Sequence, residues 1–128
     1  MKRRTNKNKV WIAMSILSFA LTLSGCGRKG TDVYGQEISE RNITKLNAIL
    51  SEPANFEGKT VTVEGKIIQE CPTGCWFDIK DDAGMIHVDI KPSGFAIPQK
   101  VGKMVMVEGQ VSVDNNKPVL IGKGVEIK

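Results

Sequence analysis

Two ten-residue segments of this chain nearly repeat one another. Residues 58–67 read GKTVTVEGKI and residues 102–111 read GKMVMVEGQV, so six of the ten positions are identical. From Val61 and from Val105 onward, an apolar residue or glycine occupies every second position, the period of a half-buried strand. A glycine, Gly65 or Gly109, lies in mid-segment, where it permits a bulge or a sharp bend. The repeat therefore predicts two long strands that can curl.

The rest of the pattern adds three strands and one helix. Strands are predicted at residues 60–69, 76–80, 85–90, 103–113 and 118–127. Apolar residues at positions 43, 46, 49 and 50 suit one face of a short helix, which Pro53 ends. The segments 81–84 and 114–117 have the composition of hairpin turns. Five strands in about 70 residues predict an all-β fold, a small five-stranded closed or partly closed barrel with a short N-terminal helix.

Residues 41–128 resemble the single-OB-fold proteins of the bacterial envelope. The resemblance rests on three sequence segments, PANFEGKTVTVEGKI, GCWFDIKDDAG and FAIPQKVGKMVMVEGQV. The narrower element Cys71…Gly74-Cys75-Trp76 resembles one uncharacterised family of that group. The resemblance implies an OB-fold barrel for residues 41–128. Many OB folds have a helix between strands three and four, but residues 91–102 hold two prolines and two glycines, so we expect a loop there and the helix at 43–51 at the barrel end.

The N-terminus has the pattern of an export signal. Residues 1–9 are basic and residues 10–23 are mostly apolar, a run shorter than the roughly 20 residues that span a membrane. Leu23-Ser24-Gly25-Cys26 resembles the bacterial lipobox. That resemblance implies cleavage before Cys26, acylation of its thiol and stable anchoring to a membrane. The alternative is an ordinary signal peptide that happens to precede a cysteine.

These features divide the chain into a lipoprotein signal peptide (1–25), a flexible tether (26–40) and the OB-fold domain (41–128). The tether has an alternative, an N-terminal arm that packs on the domain through Tyr34. The expected location is the cell envelope, lipid-anchored and exposed to the periplasm or the cell exterior.

The charge distribution argues against a nucleic-acid partner. The formal net charge is +4, but all 14 acidic residues and only 13 of the 18 basic ones follow position 25. The exported part is therefore almost neutral and lacks the excess of positive charge that gives affinity for a phosphate backbone. Its few aromatic residues also offer little surface for stacked bases.

The central hairpin supplies the candidate ligand-binding residues. A turn at 81–84 pairs residue 78 with 87 and residue 76 with 89, and directs Phe77 and Ile79 inward. The outer face of strands two and three is the usual ligand surface of an OB fold. Four side chains are predicted on it: Trp76, Asp78, His87 and Asp89. The alternatives are that loop 91–102 covers the tryptophan and that the histidine and aspartate only pair locally.

The cysteines of the domain leave three possibilities open. Cys71 and Cys75 are separated by three residues and belong to an exported chain, so they could form a structural disulfide or a labile redox pair. With His87 as a third ligand they could bind zinc. Met85, Met104 and Met106 suggest copper, because thioethers suit Cu(I), although methionines are also ordinary core or surface residues.

No catalytic arrangement can be assembled from this sequence. It has a single histidine, no Gly-x-Ser-x-Gly element and no phosphate-binding loop. We therefore expect a non-enzymatic, monomeric binding module without a required cofactor, which binds a small ligand or an envelope protein. Two other functions stay open: an oligonucleotide-binding OB-fold protein, and a thiol-exchange or metal-handling protein.

Overall fold

The computed structural model describes residues 30–128. The predicted signal peptide, Cys26 and the start of the predicted tether lie outside the described residues. The described elements are one short helix and six strands: β1 Asp32–Gly35, α1 Leu46–Ser51, β2 Thr60–Glu70, β3 Trp76–Lys80, β4 Met85–Asp89, β5 Met104–Asp114 and β6 Lys117–Ile127. Within these residues, no helix has the length and apolar composition needed to cross a membrane.

The strands form one sheet that closes on itself. The order is β1-β6-β4-β3-β2-β5, and β5 pairs again with β6, so the five strands β2 to β6 make a closed barrel. The pairing of β4 with β6 is parallel and the other strand pairings are antiparallel. This is the five-stranded Greek-key barrel of the OB fold. The predicted fold class is confirmed, and every predicted strand is present with its ends shifted by at most one residue.

The barrel core follows from the alternation seen in the sequence. Every second residue of the barrel strands points inward and is mostly buried, except that extra residues in β2 and β6 shift the alternation by one. Those with essentially no exposure include Val63, Phe77, Ile79, Val88, Val105, Val107 and Leu120. Most of them are β-branched, which suits a curved, half-buried strand. Phe77 has the largest side chain among the fully buried residues.

The two glycines of the repeat serve different purposes. At Gly109 the register between β5 and β6 shifts, and a Cβ would collide with the carbonyl oxygen of Ile121. The bulge opposite Gly109 lies in β6, where Lys123 is the extra residue, and not in the glycine-bearing strand β5 where it was predicted. Gly65 lies in regular register with β5, and a Cβ would lie 2.9 Å from the carbonyl oxygen of Lys80. Gly65 thus permits β3 to approach closely, and the irregularity in β2 lies further along, between Ile67 and Gln69.

The helix and the loop after β4 occupy the expected places. Helix α1 contacts β4 and β6 and buries Leu46 and Ile49. It begins three residues later than the pattern predicts, because Ile43 bridges to Thr62 of β2 and remains 40% exposed. After β4 the chain makes a single 3-10 turn at Lys91–Ser93 and then runs without an α-helix to β5, which confirms the predicted loop.

The segment expected as a flexible tether is in fact packed on the barrel over its described part. Strand β1 extends the sheet by pairing with the second half of β6, and Ile38 is only 4% exposed. Tyr34 packs against the core, as the arm alternative requires. The tether prediction is wrong for these residues, because strand pairing and burial outweigh the polar, glycine-rich composition on which it rested.

Two buried glutamates hold the end of this N-terminal arm. Glu108 of β5 accepts hydrogen bonds from the backbone N–H groups of Ser39 and Glu40, at 2.9 and 2.8 Å. Glu126 of β6 accepts two hydrogen bonds from the guanidinium of Arg41, at 2.7 and 2.8 Å. These hydrogen bonds, which involve charged groups, are stronger than neutral ones and explain why the carboxylates can be buried.

Candidate functional site

The register of the central hairpin is the predicted one. Trp76 lies opposite Asp89, and Asp78 lies opposite His87. These four outward residues are partly exposed, whereas Phe77 between them is completely buried. The sequence pattern therefore located the face of each side chain correctly. Their role in ligand binding stays a prediction.

Three of the four residues form one cluster on the outer face. His87 Nδ1 lies 2.6 Å from an oxygen of Asp78, whose side chain is 13% exposed against 41% for the histidine. The rings of Trp76 and His87 pack with their centroids 5.2 Å apart, tilted by 42°. Asp78 thus orients the imidazole, and the opposite ring nitrogen, Nε2, has no hydrogen-bond partner among the described residues. This nitrogen could bind a ligand without breaking the existing pair.

Asp89 has a backbone role in this structure. Its side chain accepts a hydrogen bond from the N–H of Lys91 at 3.0 Å. That contact supports the 3-10 turn that follows β4. Such local pairing is typical of aspartate, which bonds the backbone two residues onward in turns. Asp89 therefore shapes the loop beside the cluster.

The two domain cysteines lie in a tight turn between β2 and β3. The backbone carbonyl of Cys71 accepts a hydrogen bond from the N–H of Gly74 at 2.8 Å. The backbone N–H of Cys71 donates to the carbonyl of Trp76 at 2.9 Å. Gly74 has a positive φ of 72°, and a Cβ there would collide with the carbonyl oxygen of Ile97. The N–H of Ile97 also donates to Gly74 at 3.1 Å. Only glycine fits this position, where the turn meets the loop after β4.

The two thiols are free, partly exposed and in direct contact. Cys75 donates a hydrogen bond to Cys71 Sγ at 2.8 Å, and the hydroxyl of Thr73 lies 3.1 Å from the same sulfur. These hydrogen bonds, first that from Cys75 and then that from Thr73, lower the pKa of the Cys71 thiol to about 6. A thiol with such a pKa is largely ionised at neutral pH.

The predicted metal sites are not assembled among the described residues. His87 pairs with Asp78, and no group of three or more His, Cys, Asp or Glu side chains in residues 30–128 is arranged to hold a metal ion. A tetrahedral zinc ion with Zn–S bonds of about 2.3 Å separates its sulfur ligands by roughly 3.8 Å. The sulfurs of Cys71 and Cys75 are closer than that, at 2.8 Å.

The three methionines proposed for copper lie on the outside of the barrel. Met104 is opposite Lys66 in the β2–β5 pairing, and Met85 is opposite Lys80 in the β3–β4 hairpin. Met106 is partly exposed, and its sulfur lies 3.9 Å from the guanidinium of Arg41. The outward parity of Met104 and Met106 is as predicted, while Val105 between them and Val107 after them are buried.

A groove on the outer face was not identified from the sequence. It has a volume of about 550 Å³ and lies over β2, the end of β3 and the start of β5. Its lining combines two lysines, three acidic residues and two apolar side chains: Lys66, Lys80, Glu64, Asp81, Asp82, Ile68 and Met104. The outward parity of Lys66 was available as a signal. The irregularity in β2 that leaves Ile68 40% exposed could not be predicted from the sequence.

Comparison with solved structures finds the same barrel in proteins of different kinds. The hypothetical protein ygiW of E. coli is 22% identical, with a TM-score of 0.53, over 68% of this chain and 90% of that one. The asparaginyl-tRNA synthetase of Pyrococcus horikoshii is 16% identical, with a TM-score of 0.54, over 67% of this chain. The matched region is only 23% of that synthetase. No protein-family model and no curated protein sequence matches the chain.

At these identities the similarity concerns the fold. A single OB-fold barrel makes up most of the E. coli protein and a minor part of the synthetase. Because one fold carries many functions, the site has to be argued from its own residues. The chain is an OB-fold protein whose outer β3–β4 face carries a Trp–His–Asp cluster.

Proposed function

We propose that this chain is a membrane-anchored envelope lipoprotein whose OB-fold domain is a binding module. The observation that carries the proposal is a continuous polar and aromatic surface along the outside of β3. Trp76, Asp78 and Lys80 alternate outward on this strand, and successive outward residues are about 6.6 Å apart. The first two belong to the Trp–His–Asp cluster, and Lys80 lines the groove.

The chemistry of this surface favours a peptide segment of a protein partner. The groove offers ammonium groups, carboxylates and two exposed apolar side chains. One of the carboxylates, Glu64, is already paired with Lys128 at 2.9 Å. A ligand with charges of both signs and an apolar side chain complements such a lining, and a peptide provides all three. The partly exposed indole of Trp76 adds the kind of aromatic contact that dominates binding energy in protein interfaces.

An oligonucleotide fits this surface less well. This surface and its groove carry the carboxylates of three residues, Asp78, Asp81 and Asp82. They carry only two lysines, Lys66 and Lys80. A phosphate backbone would meet more negative than positive charge there, so the electrostatic attraction that drives such binding is missing. The structural similarity to an asparaginyl-tRNA synthetase concerns the fold alone. It is therefore no evidence for a positively charged groove on this chain.

We expect replacement of Trp76 to weaken binding without unfolding the domain. The full chain in detergent micelles is screened against short synthetic peptides that carry both charge signs and an apolar residue. Trp76→Ala should weaken the binding of every captured peptide by about tenfold or more, as is typical of a central aromatic side chain. The matched control is Val33→Ala, because Val33 is 49% exposed but lies on β1, away from this face.

Two results would contradict the binding proposal. In one, no peptide binds, or Trp76→Ala and Val33→Ala bind alike. In the other, a single-stranded oligonucleotide binds tightly at low salt and the affinity falls steeply as salt is added. The second result would favour the oligonucleotide-binding alternative.

The membrane anchor is tested separately through Cys26. The chain with its native N-terminus should partition with the membrane fraction of an expressing bacterium, and its mature mass should include the acyl groups. Cys26→Ser should abolish acylation and leave the chain uncleaved before position 26, since the thiol accepts the lipid. Cys71→Ser serves as the matched control and should stay acylated. A mature chain that starts elsewhere or carries no lipid would contradict the lipoprotein assignment.

A further inference from the structure

The turn at residues 71–75 is held together without a covalent link. Five backbone groups of this turn are hydrogen-bonded to other backbone groups, and Gln99 Nε2 donates to the carbonyl of Cys71 at 2.9 Å. A disulfide between Cys71 and Cys75 would close a loop of five residues, and so short a loop removes less entropy from the unfolded chain than a long one. The hydrogen bonds therefore hold the turn in the absence of a structural disulfide.

The geometry of the pair is asymmetric. Cys71 Sγ receives the hydrogen bond of Cys75, and Thr73 lies within donating distance of it. The backbone N–H groups of Thr73 and Cys75 also stabilise its negative charge. Cys75 is the donor in the contact between the two sulfurs. One sulfur is thus prepared as a thiolate, with a second thiol 2.8 Å away.

We propose that this pair performs thiol–disulfide exchange, with Cys71 as the attacking thiolate and Cys75 as the resolving thiol. Cys71 attacks one sulfur of a substrate disulfide, the substrate S–S bond breaks, and one substrate thiolate leaves. Cys75 then gives up its proton and attacks Cys71 Sγ, so the mixed disulfide breaks and the second substrate thiolate leaves and takes the proton. The substrate disulfide gains two electrons, and the Cys71–Cys75 dithiol becomes a disulfide.

Both partial exposure and ionisation suit this activity. Each thiol is accessible to a substrate at the surface of the turn. The pKa of Cys71, about 6, makes the thiolate the main form above that pH, and the thiolate is lost as the pH falls through 6. Exchange is fastest when the attacking thiol has a pKa near the ambient pH. This proposal does not depend on the binding function, because it uses the turn and not the groove.

The first experiment measures the reactivity of Cys71. The full chain carries Cys26→Ser, so that Cys71 and Cys75 are its only thiols, and it is kept reduced in detergent micelles. Limited alkylation with iodoacetamide, followed by peptide mapping, should label Cys71 first, with a rate that is half-maximal near pH 6. At that pH the native chain should react about twentyfold faster at Cys71 than the same chain in urea, after allowing for the lower nucleophilicity of an acidic thiol.

The second experiment follows the exchange with glutathione disulfide as the probe. The chain with both cysteines should end as an intramolecular disulfide, two hydrogen masses lighter, without an accumulating adduct. Cys75→Ala should stop at one glutathionyl group on Cys71. Cys71→Ala should react far more slowly at neutral pH, because it lacks the stabilised thiolate. Thr73→Val keeps both thiols and removes one hydrogen bond, so it should raise the pH of half-maximal reaction.

Three results would overturn the proposal. If the two cysteines were alkylated equally at pH 6, at the rate seen in urea, the folded chain would not stabilise a thiolate at Cys71. A pair that stays oxidised in excess reduced glutathione would be a structural disulfide. A metal ion retained on both thiols in native mass spectrometry would make the turn a metal site. Loss of peptide binding in the Trp76→Ala chain with normal exchange would leave this proposal intact.

Discussion

Phe77→Ala should lower the free energy of unfolding by about 3–5 kcal/mol, the usual cost of removing a buried phenylalanine ring. Phe77 is completely buried in β3, between Trp76 and Asp78. The closed barrel surrounds its ring with side chains from several strands, so the cavity has few ways to collapse. Denaturation in urea, followed by circular dichroism, measures the effect.

The neighbouring tryptophan is the matched control for this prediction. Trp76→Ala should cost roughly half as much or less, because part of the indole is already in water and less apolar area is lost. An equal loss for the two variants would mean that Trp76 is a core residue. In that event the outer face would lack the aromatic side chain on which the binding proposal depends.

Glu108→Ala should lower the free energy of unfolding by about 3 kcal/mol, because each hydrogen bond to a charged acceptor contributes roughly 1.5–3 kcal/mol. The substitution leaves the N–H groups of Ser39 and Glu40 without their acceptor, and the N-terminal arm loses its attachment to β5. Hydrogen exchange at these two amides should become much faster, whereas the amides of β3 should keep their protection relative to the global stability.

Glu64→Ala is the matched control, since Glu64 occupies the equivalent position in the other copy of the repeat. Its side chain is 30% exposed and pairs with Lys128 at the surface, so its removal should cost about 1 kcal/mol or less. If both glutamates gave the same small loss, the contacts of Glu108 with the arm would have no energetic weight, and residues 32–40 would behave as the tether that the composition suggested.

The strands could be predicted from the sequence because alternation is a local property. Phe77 and Ile79 alternate with polar neighbours, and a turn of known length follows at 81–84, so the register of the hairpin was determined in advance. The number of strands predicted a closed or partly closed barrel, and the pairing of β5 with β6 in the structure shows that it is closed. The short helix was predicted with the wrong start, because the bridge between Ile43 and Thr62 is a contact between distant residues.

The candidate site was predictable to a smaller extent. The outward positions of Trp76, Asp78 and His87 follow from strand parity. The spacing of Cys71 and Cys75 is compatible with a disulfide, a redox pair or a metal site. It could not distinguish them, because the hydrogen bonds of each sulfur cannot be predicted from the spacing. These hydrogen bonds depend on the turn, which is fixed by Gly74 against the loop at Ile97. The groove also escaped prediction, because it is lined by three strands together.

The sequence by itself determined the strands, the inward and outward faces of the central hairpin and the nearly neutral charge of residues 26–128, since each depends on residue order and composition. Only the tertiary structure decided that residues 32–41 pack on the barrel, where Glu108 binds the backbone of Ser39 and Glu126 binds Arg41. Glu64 and Glu108 show the reason most clearly. They occupy the same place in the repeat, yet one faces water and the other binds the arm, because the environment of a side chain is made by segments far away in the chain.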